Sequence, residues 1–501
     1  MNGCSDKKDI ADSFKNSFEK NCTPNNQENV GKLNTRFQEL YSDYKTNHTN
    51  CCDCKPIYIT VINVIDALFS LKAGKSSDDS DISAEHFLNA PLNFLHRLAS
   101  LFNQMLKHSF VPCQFRYGHM VPIVKDQQGN FSDMGNYRGI TISPIASKIF
   151  EYVMKDIFSD FMLTSPSQFG FKKGNSTVHA LHCLKGTIDY YVQHGSRVFC
   201  AFLDASKAFD RVVHAGLFIK LIQRNVPMVF LDVIISWYDG LFCKVKWGDQ
   251  FSDWFAVTAG VRQGGILSPT FYCIYVDDLV QILKASNIGC YYLDLFAAAI
   301  FYADDMAILA PSIDGISLIL SLCGEYCSEW DINLNAKKSR VMYFGKRMNC
   351  TPDITLSGGK IDWTNEWVYL GVILKTGVSF NCSITEKVRK FYRSTNAIFR
   401  IEGRSNDTVM LQLIETHCIP ILTYAIEVIH VANRDERRQL RVAYNSVYRK
   451  IFNYRWSESV TALQAFLNRP TWEQLVDSRK QSFHSRVSSH GDQNLAYVLF
   501  L

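Results

Sequence analysis

A chain of 501 residues is too long for one hydrophobic core, so two to four sub-domains are expected. Apolar residues at 47% and charged residues at 20% form an ordinary globular mixture, and a formal net charge of +5 permits nucleic-acid binding without indicating it. The polar start MNGCSDKKDI lacks the apolar stretch of a secretory signal, no segment has the roughly 18 uncharged apolar residues of a membrane helix, and the sixteen cysteines follow no repeating spacing. Secretion, membrane spanning and a disulfide framework are thereby excluded as readings, and an intracellular chain, in nucleus and/or cytoplasm, is expected.

Residues 1–55 are polar and rich in Asn, Lys and Asp, and read as a poorly packed leader or linker. Within them "HTNCCDC" gathers His48, Cys51, Cys52 and Cys54, which invites a zinc reading. No second ligand pair follows at a suitable distance, so free thiols in a linker are the alternative. From 56 to 160, "VINVIDALFSLKAG" and "LNFLHRLASLFNQMLKHSF" carry helical periodicity, and short strands are expected around "HMVPIVKDQQGN", with a loop at Gly129-Asn130. Residues 161–375 alternate strand-like apolar runs with helices, and the chain is mostly helical after 376.

Two stretches carry the chemistry. "RVFCAFLDASKAFDRV" is apolar or small from 198 to 203, as in a buried strand, and stops at Asp204. "IFYADDMAILAPS" sets Asp304 and Asp305 between apolar runs, the pattern of a tight hairpin with acids at its tip. Carboxylates in such surroundings are costly unless paired, hydrogen-bonded or metal-bound, and three in one cleft repel unless divalent cations lie between them. On adjacent strands they would form the protein half of a two-metal phosphoryl-transfer site, with Mg²⁺ or Mn²⁺ suited to the hard oxygens. Taken alone, "ADD" between apolar runs also fits a solvated turn.

Further motifs follow in order, and together they resemble the reverse transcriptase of non-LTR (LINE-type) retrotransposons. "FLDASKAFDRV", "AGVRQGGILSPTFYCIYVDDL" and "FYADDMAIL" are similar to that family's first three catalytic motifs. "DINLNAKKSRVMYFG" and "EWVYLGVIL" are similar to the fourth and fifth. Upstream, "VPIVKDQQGNFSDMGNYRGITISPIASKIFE" resembles the fingers and "SQFGFKKGNST" the motif between fingers and palm. The resemblance implies an α+β right-hand polymerase: a leader (1–55), fingers (56–160), a palm with an antiparallel sheet (161–375) and a helical thumb with the C-terminal region (376–501). It implies an RNA-directed DNA polymerase that extends a primer 3′-OH with dNTPs on an RNA template, the primer being DNA or nicked target DNA, with two Mg²⁺ ions.

Residue by residue, the resemblance implies Asp204, Asp304 and Asp305 as catalytic metal ligands, with the backbone carbonyl of Ala205 as a further ligand. Asp210 is expected to be a structural hydrogen-bonding residue. Phe209 would lie under the incoming sugar and exclude a 2′-OH, core packing being the alternative. Gln263 would contact base and sugar, while Gly264 and Gly265 would let the backbone approach the nucleotide. Arg138 and Lys125 would grip the triphosphate, Lys125 also reading as a solvated loop residue. Lys338 would protonate departing pyrophosphate, with Lys337 one position away.

In "EKVRKFYRSTNAIFR", Val388, Phe391, Tyr392, Ile398 and Phe399 form an apolar stripe, with Lys387, Arg389, Lys390, Arg393 and Arg400 between them. Over 385–455 there are 13 Lys or Arg against 7 Asp or Glu, which fits either a phosphate-backbone contact or a solvated basic face. In "LKAGKSSDDSDISAEHF", Asp78, Ser80 and Asp81 stand where the family usually has Gly, Asp and Gly, so a strained loop is expected there. Residues 1–50 resemble the linker that follows an endonuclease domain in such polyproteins, and no C-terminal zinc knuckle is seen. A polymerase-like RNA-binding relic or scaffold is the second reading, and a reverse transcriptase of group II intron or telomerase type the third. Oligomeric state is not legible.

Overall fold

The computed structural model describes residues 6–49, 57–403, 406–429, 434–488 and 495–499. They form two compact units that interleave along the chain: Met1–Ser165, Ala205–Gln281 and Cys323–Leu334 make one, and Pro166–Asp204, Ile282–Leu322 and Asn335–Leu501 the other. The units thus cut across a leader–fingers–palm–thumb order read linearly, because strands distant in sequence pair within one sheet.

In the first unit, strands Tyr117–Val124 and Tyr137–Ile142 pair antiparallel, and the former also runs parallel to Phe242–Trp247. The expectation of a poorly packed leader is corrected here. Lys7–Asn21 is a helix that buries Ala11, Phe14 and Phe18, and Phe14 stacks on Trp247 with centroids 5.2 Å apart. Gln27–Thr49 is a second helix that buries Leu33, Phe37 and Tyr44. The Asp331 carboxylate accepts from the backbone N–H groups of Asn25 and Asn26 just before this helix. Its apolar stripe is sparse, so low average hydropathy conceals a real packing face. Cys51, Cys52 and Cys54 of the suggested metal cluster lie outside the described residues; His48 bonds the Tyr44 carbonyl through its ring.

The loop with the unusual acids is satisfied. Asp78 is buried; one carboxylate oxygen accepts from Ser80 and Ile82 N–H and the other from Ile145 N–H, at the start of helix Ile145–Ile157. Asp79 pairs with His119 at 2.5 Å and Lys244 at 3.0 Å. Burial raises the Asp79 carboxyl, but the bonds from His119 and Lys244 outweigh it and hold it below its ordinary range. The expected strain is confined to Asp81, at φ +56°, in a region that Asp tolerates better than most residues.

The second unit is built on a six-stranded sheet in the order Ile354–Leu356, Gly359–Trp363, Arg340–Phe344, Val198–Asp204, Asp305–Ala310, Ala299–Tyr302. All its pairings are antiparallel except that of Arg340–Phe344 with Gly359–Trp363. The core runs from this sheet into the C-terminal helices, through residues such as Phe202, Leu309, Tyr369, Phe391, Ile414 and Tyr444. The helix Thr385–Glu402 has the expected stripe, with Phe391 fully buried. Lys387 departs from the expected basic face: it turns inward, and its ammonium donates to the Tyr424 carbonyl at 2.7 Å. Arg389 and Arg393 are exposed but share Glu386 as an ionic partner. No helix among the described residues is long and apolar enough to cross a membrane.

Burial lowers the Lys387 ammonium from its ordinary value to about 8. Because the folded value lies below the unfolded one, the charged form opposes folding, and this opposition is relieved as pH rises from about 8 toward the unfolded value. The stability of Lys387→Met relative to the parent should therefore be greatest near pH 7 and decline up to about pH 10. Urea unfolding of both proteins across that range checks it; a pH-independent difference would contradict the inward, desolvated ammonium.

Candidate active site

The acids belong to the second unit. Residues 198–203 are buried along their whole length, and the strand ends at Asp204, which is half-exposed. The expected hairpin is present: Tyr302 pairs with Asp305, leaving Ala303 and Asp304 as a two-residue turn. Ala303 is held at φ +57°. Asp305 is also the direct cross-strand partner of Asp204. Two like charges opposite one another destabilise a sheet, so this register has a cost that burial of the flanking apolar residues must offset. Asp304 follows in the turn, half-buried, and Asp305 is exposed.

Among the described residues no three His, Cys, Asp or Glu side chains converge closely enough to cage an ion by themselves. The donor set nevertheless fits Mg²⁺, which is commonly held by one or two carboxylates while water and substrate phosphates complete its octahedron. Two carboxylates at opposed strand positions and a third in the adjoining turn are hard oxygen donors of that kind.

Backbone braces fix these acids. Ser339 Oγ accepts from Asp204 N–H at 3.2 Å, and the Asp204 carbonyl accepts from Asn335 N–H at 2.9 Å. Lys338 lies exposed on this same turn, its own N–H bonded to Asn335, and Lys337 beside it is equally exposed. Tyr369, in the fifth motif, donates to the Ile300 carbonyl at 3.1 Å and packs on Phe202. Burial, and secondarily the charge of Asp305, pushes its phenol well above the ordinary value, so it remains a donor.

A further brace was not identified from the sequence. Gln168 is fully buried, and its Oε1 accepts from the N–H groups of Ala303 and Gly170, each at 2.9 Å. Phe169 N–H and Ser167 O also bond both backbone groups of Phe301. A Cβ on Gly170 would come within 2.7 Å of Ala303 N. The segment "SQFGF" thus clamps the acidic turn, and the Gln-x-Gly spacing was the available signal.

The residues expected to handle the nucleotide lie in the first unit. Ala205 is buried and bridges to Leu334. Phe209 is half-buried and stacks on Tyr272, with centroids 4.6 Å apart and planes 23° apart. Asp210 accepts from Gln263 Nε2 at 2.5 Å, so the Gln263 side chain is already anchored. Desolvation raises the Asp210 carboxyl above its ordinary value, against the lowering effect of that bond and of Lys125, Lys207 and Arg211.

Gly264, expected to allow approach to a nucleotide, is required by the folded loop itself. It sits at φ +117°, and a Cβ there would lie 2.5 Å from the Thr141 carbonyl oxygen. The loop is pinned where Thr141 N–H donates to the Gln263 carbonyl at 2.6 Å, and where Glu151 accepts from Ile266 and Leu267 N–H just before helix Ser268–Ala285. Glu151 is another brace that sequence reading missed. Arg138 pairs with Ile123 in the strand register, and Lys125 follows the end of the partner strand at Val124. Both are exposed; the Lys125 ammonium donates to the Gly135 carbonyl at 2.9 Å.

Removing the Gln168 acceptor leaves two buried N–H groups unpaired, at about 1–3 kcal/mol each. Gln168→Met should lower stability by about 2 kcal/mol or more and speed hydrogen exchange of the Ala303 amide, measured by urea unfolding and by exchange mass spectrometry or NMR. Exchange at wild-type rates would show that the clamp does not hold the turn.

The family described as reverse transcriptase (RNA-dependent DNA polymerase) matches residues 123–374, half of the chain. The probable RNA-directed DNA polymerase from transposon X-element of Drosophila melanogaster is 26% identical over 80% of this chain and 45% of its own length. That from transposon BS of the same organism is 25% identical over 91% of this chain and 51% of its own. This chain therefore spans about half the length of the curated relatives it matches. Among solved structures, apo telomerase from Candida tropicalis aligns with a TM-score of 0.43 at 12% identity, over 81% of this chain and 68% of that one. The motif resemblance read from the sequence holds, and the chain belongs to the reverse transcriptase family.

Proposed function

We propose that this chain is an RNA-directed DNA polymerase that adds dNTPs to a primer 3′-OH on an RNA template. The observation that carries the proposal is the register of Asp305 opposite Asp204, with Asp304 in the adjoining turn. The reaction is in-line attack of the primer 3′ oxygen on the α-phosphate of a dNTP: a P–O bond forms to the primer, the bond to the β-phosphate bridge breaks, and pyrophosphate leaves. Two divalent ions, Mg²⁺ or Mn²⁺, would supply charge neutralisation at the attacking and leaving oxygens.

The chain's own residues divide the remaining work. Asp204, Asp304 and Asp305 supply fixed negative oxygen. Arg138 and Lys125 provide a cationic face for triphosphate oxygens, the guanidinium able to bind two at once. Phe209 sets a ring against the sugar, stiffened by its stack on Tyr272. Lys338, exposed on the turn that braces Asp204, would give a proton to pyrophosphate. The relic or scaffold reading drew its support from the 78–81 loop, which has its hydrogen bonds in place.

Two outcomes test this. Primer extension on poly(rA)/oligo(dT) with Mg²⁺ should occur, and Asp204→Asn or Asp304→Asn should lower it by about 100-fold or more while leaving the fold intact by circular dichroism. Extension that survives Asp304→Asn would overturn the site, and folded protein that binds RNA but never extends would favour the scaffold. Phe209→Val should improve incorporation of rNTPs relative to dNTPs by about tenfold or more, the scale of a steric pocket, in single-nucleotide addition assays. An unchanged ratio would return Phe209 to simple packing.

A further inference from the structure

The C-terminal helices of the second unit hold two cavities. One, of about 670 Å³, is lined by arginines together with Asp435, Glu473 and Asp477, and Arg441 already pairs with Glu473 at 3.5 Å. Its charges compensate one another.

The second, of about 370 Å³, differs in kind. It is framed by helices Thr385–Glu402 and Arg434–Ile451 and by the segment that follows, where Asn453 at φ +57° turns the chain out of the helix. Arg449 and Lys450 line it, and among the described residues no Asp or Glu does. Both cations are oriented by neutral groups. Arg449 donates through Nε to the Glu458 carbonyl at 3.0 Å and lies 5.5 Å from the Trp456 ring centre. Lys450 donates to Asn396 Oδ1 at 2.8 Å and sits 4.2 Å from the Phe399 ring centre.

Two aromatic rings of the lining are left in solvent, Trp456 at 69% and Tyr454 at 39% exposure. In the wall, the Thr395 hydroxyl is buried, the residue being 3% exposed, and it is one of thirteen buried side-chain polar atoms with no hydrogen-bond partner among the described residues. An unpaired buried hydroxyl is costly, and native structures rarely leave one without a ligand or water. Exposed rings, oriented cations and an unpaired hydroxyl in one concavity of ligand size match a base and its phosphate.

We propose that this cavity is a subsite for one unpaired nucleotide of a single-stranded nucleic acid. Its base stacks on Trp456 or Tyr454, its phosphate meets Arg449 and Lys450, and the Thr395 hydroxyl completes one hydrogen bond. Only the choice of nucleic acid as the ligand rests on the polymerase reading; the geometry stands apart from the acids. A duplex hides its base faces and is not a ligand for this subsite.

The test uses the full chain and fluorescence anisotropy with labelled single-stranded RNA, single-stranded DNA and duplex RNA. Trp456→Ala should weaken single-strand binding by about 5- to 100-fold, the range for losing one base–aromatic stack, with duplex binding unchanged. Trp456→Phe should restore most of it. Thr395→Val should leave the melting temperature equal or higher yet weaken single-strand binding by about 2- to 10-fold. Loss with RNA alone, DNA alone or both supports the subsite and names its strand. Unchanged single-strand binding in Trp456→Ala, or equal loss with duplex, overturns it. Primer extension scored alongside separates the two readings: a Trp456 effect without extension leaves the subsite standing while the polymerase falls, and extension without a Trp456 effect does the reverse.

Discussion

The second unit depends on one arrangement that is unfavourable in isolation: a carboxylate set directly across the sheet from another. Asp204 and Asp305 occupy the ends of strands whose remaining residues, 198–203 and 306–310, are buried. A one-residue slip would exchange the side chains packed on the two buried faces of the sheet, so close packing on both faces holds the register against the repulsion of two facing charges. Facing carboxylates are therefore held as a consequence of core packing.

Several motifs act through the backbone. Asn335 and Ser339 grip both sides of Asp204, Tyr369 holds Ile300, and Gln168 holds Ala303. These residues lie far apart in sequence and share one role, that of restricting the main chain on which the acids ride. In the first unit Glu151 and Thr141 do the same for the glycine loop. The sequence order of the motifs is thus a list of braces as much as a list of reacting groups. Asp204 ends the first of the second unit's three segments and Ala205 begins the second of the first unit's, so the residue expected to bind metal lies where the chain passes from one packing unit to the other.

Legibility in the sequence followed pattern strength. The strand 198–204 and the hairpin 299–310 were readable because uninterrupted apolar runs end at acids. The N-terminal helices were not, because three apolar residues per helix suffice to pack them while average composition stays polar. The inward turn of Lys387 was invisible because a long amphipathic side chain can face either way, and its partner is a backbone carbonyl with no sequence signature. Gly264 was assigned to nucleotide approach, whereas the crowding found is with the Thr141 carbonyl, a contact that only the folded loop reveals. Gln168 was noticed as part of a motif, but a buried amide acting as a double acceptor cannot be told from a surface one by its letter.

The turn itself shows how such constraint is distributed. A two-residue hairpin needs left-handed backbone, which glycine or asparagine adopts most readily, yet Ala303 stands there at φ +57°. That conformation costs a β-carbon-bearing residue about 1 kcal/mol or more. Glycine would remove the strain and also widen the range of backbone angles open to the residue preceding Asp304. Ala303 is buried, its N–H is fixed by Gln168, and Gly170 leaves room for its backbone by lacking a β-carbon. The glycine has in effect been moved from the turn to the strap beneath it. The chain accepts local strain at the tip and places the permissive residue where it allows close packing, an arrangement that holds Asp304 more rigidly than a glycine turn would.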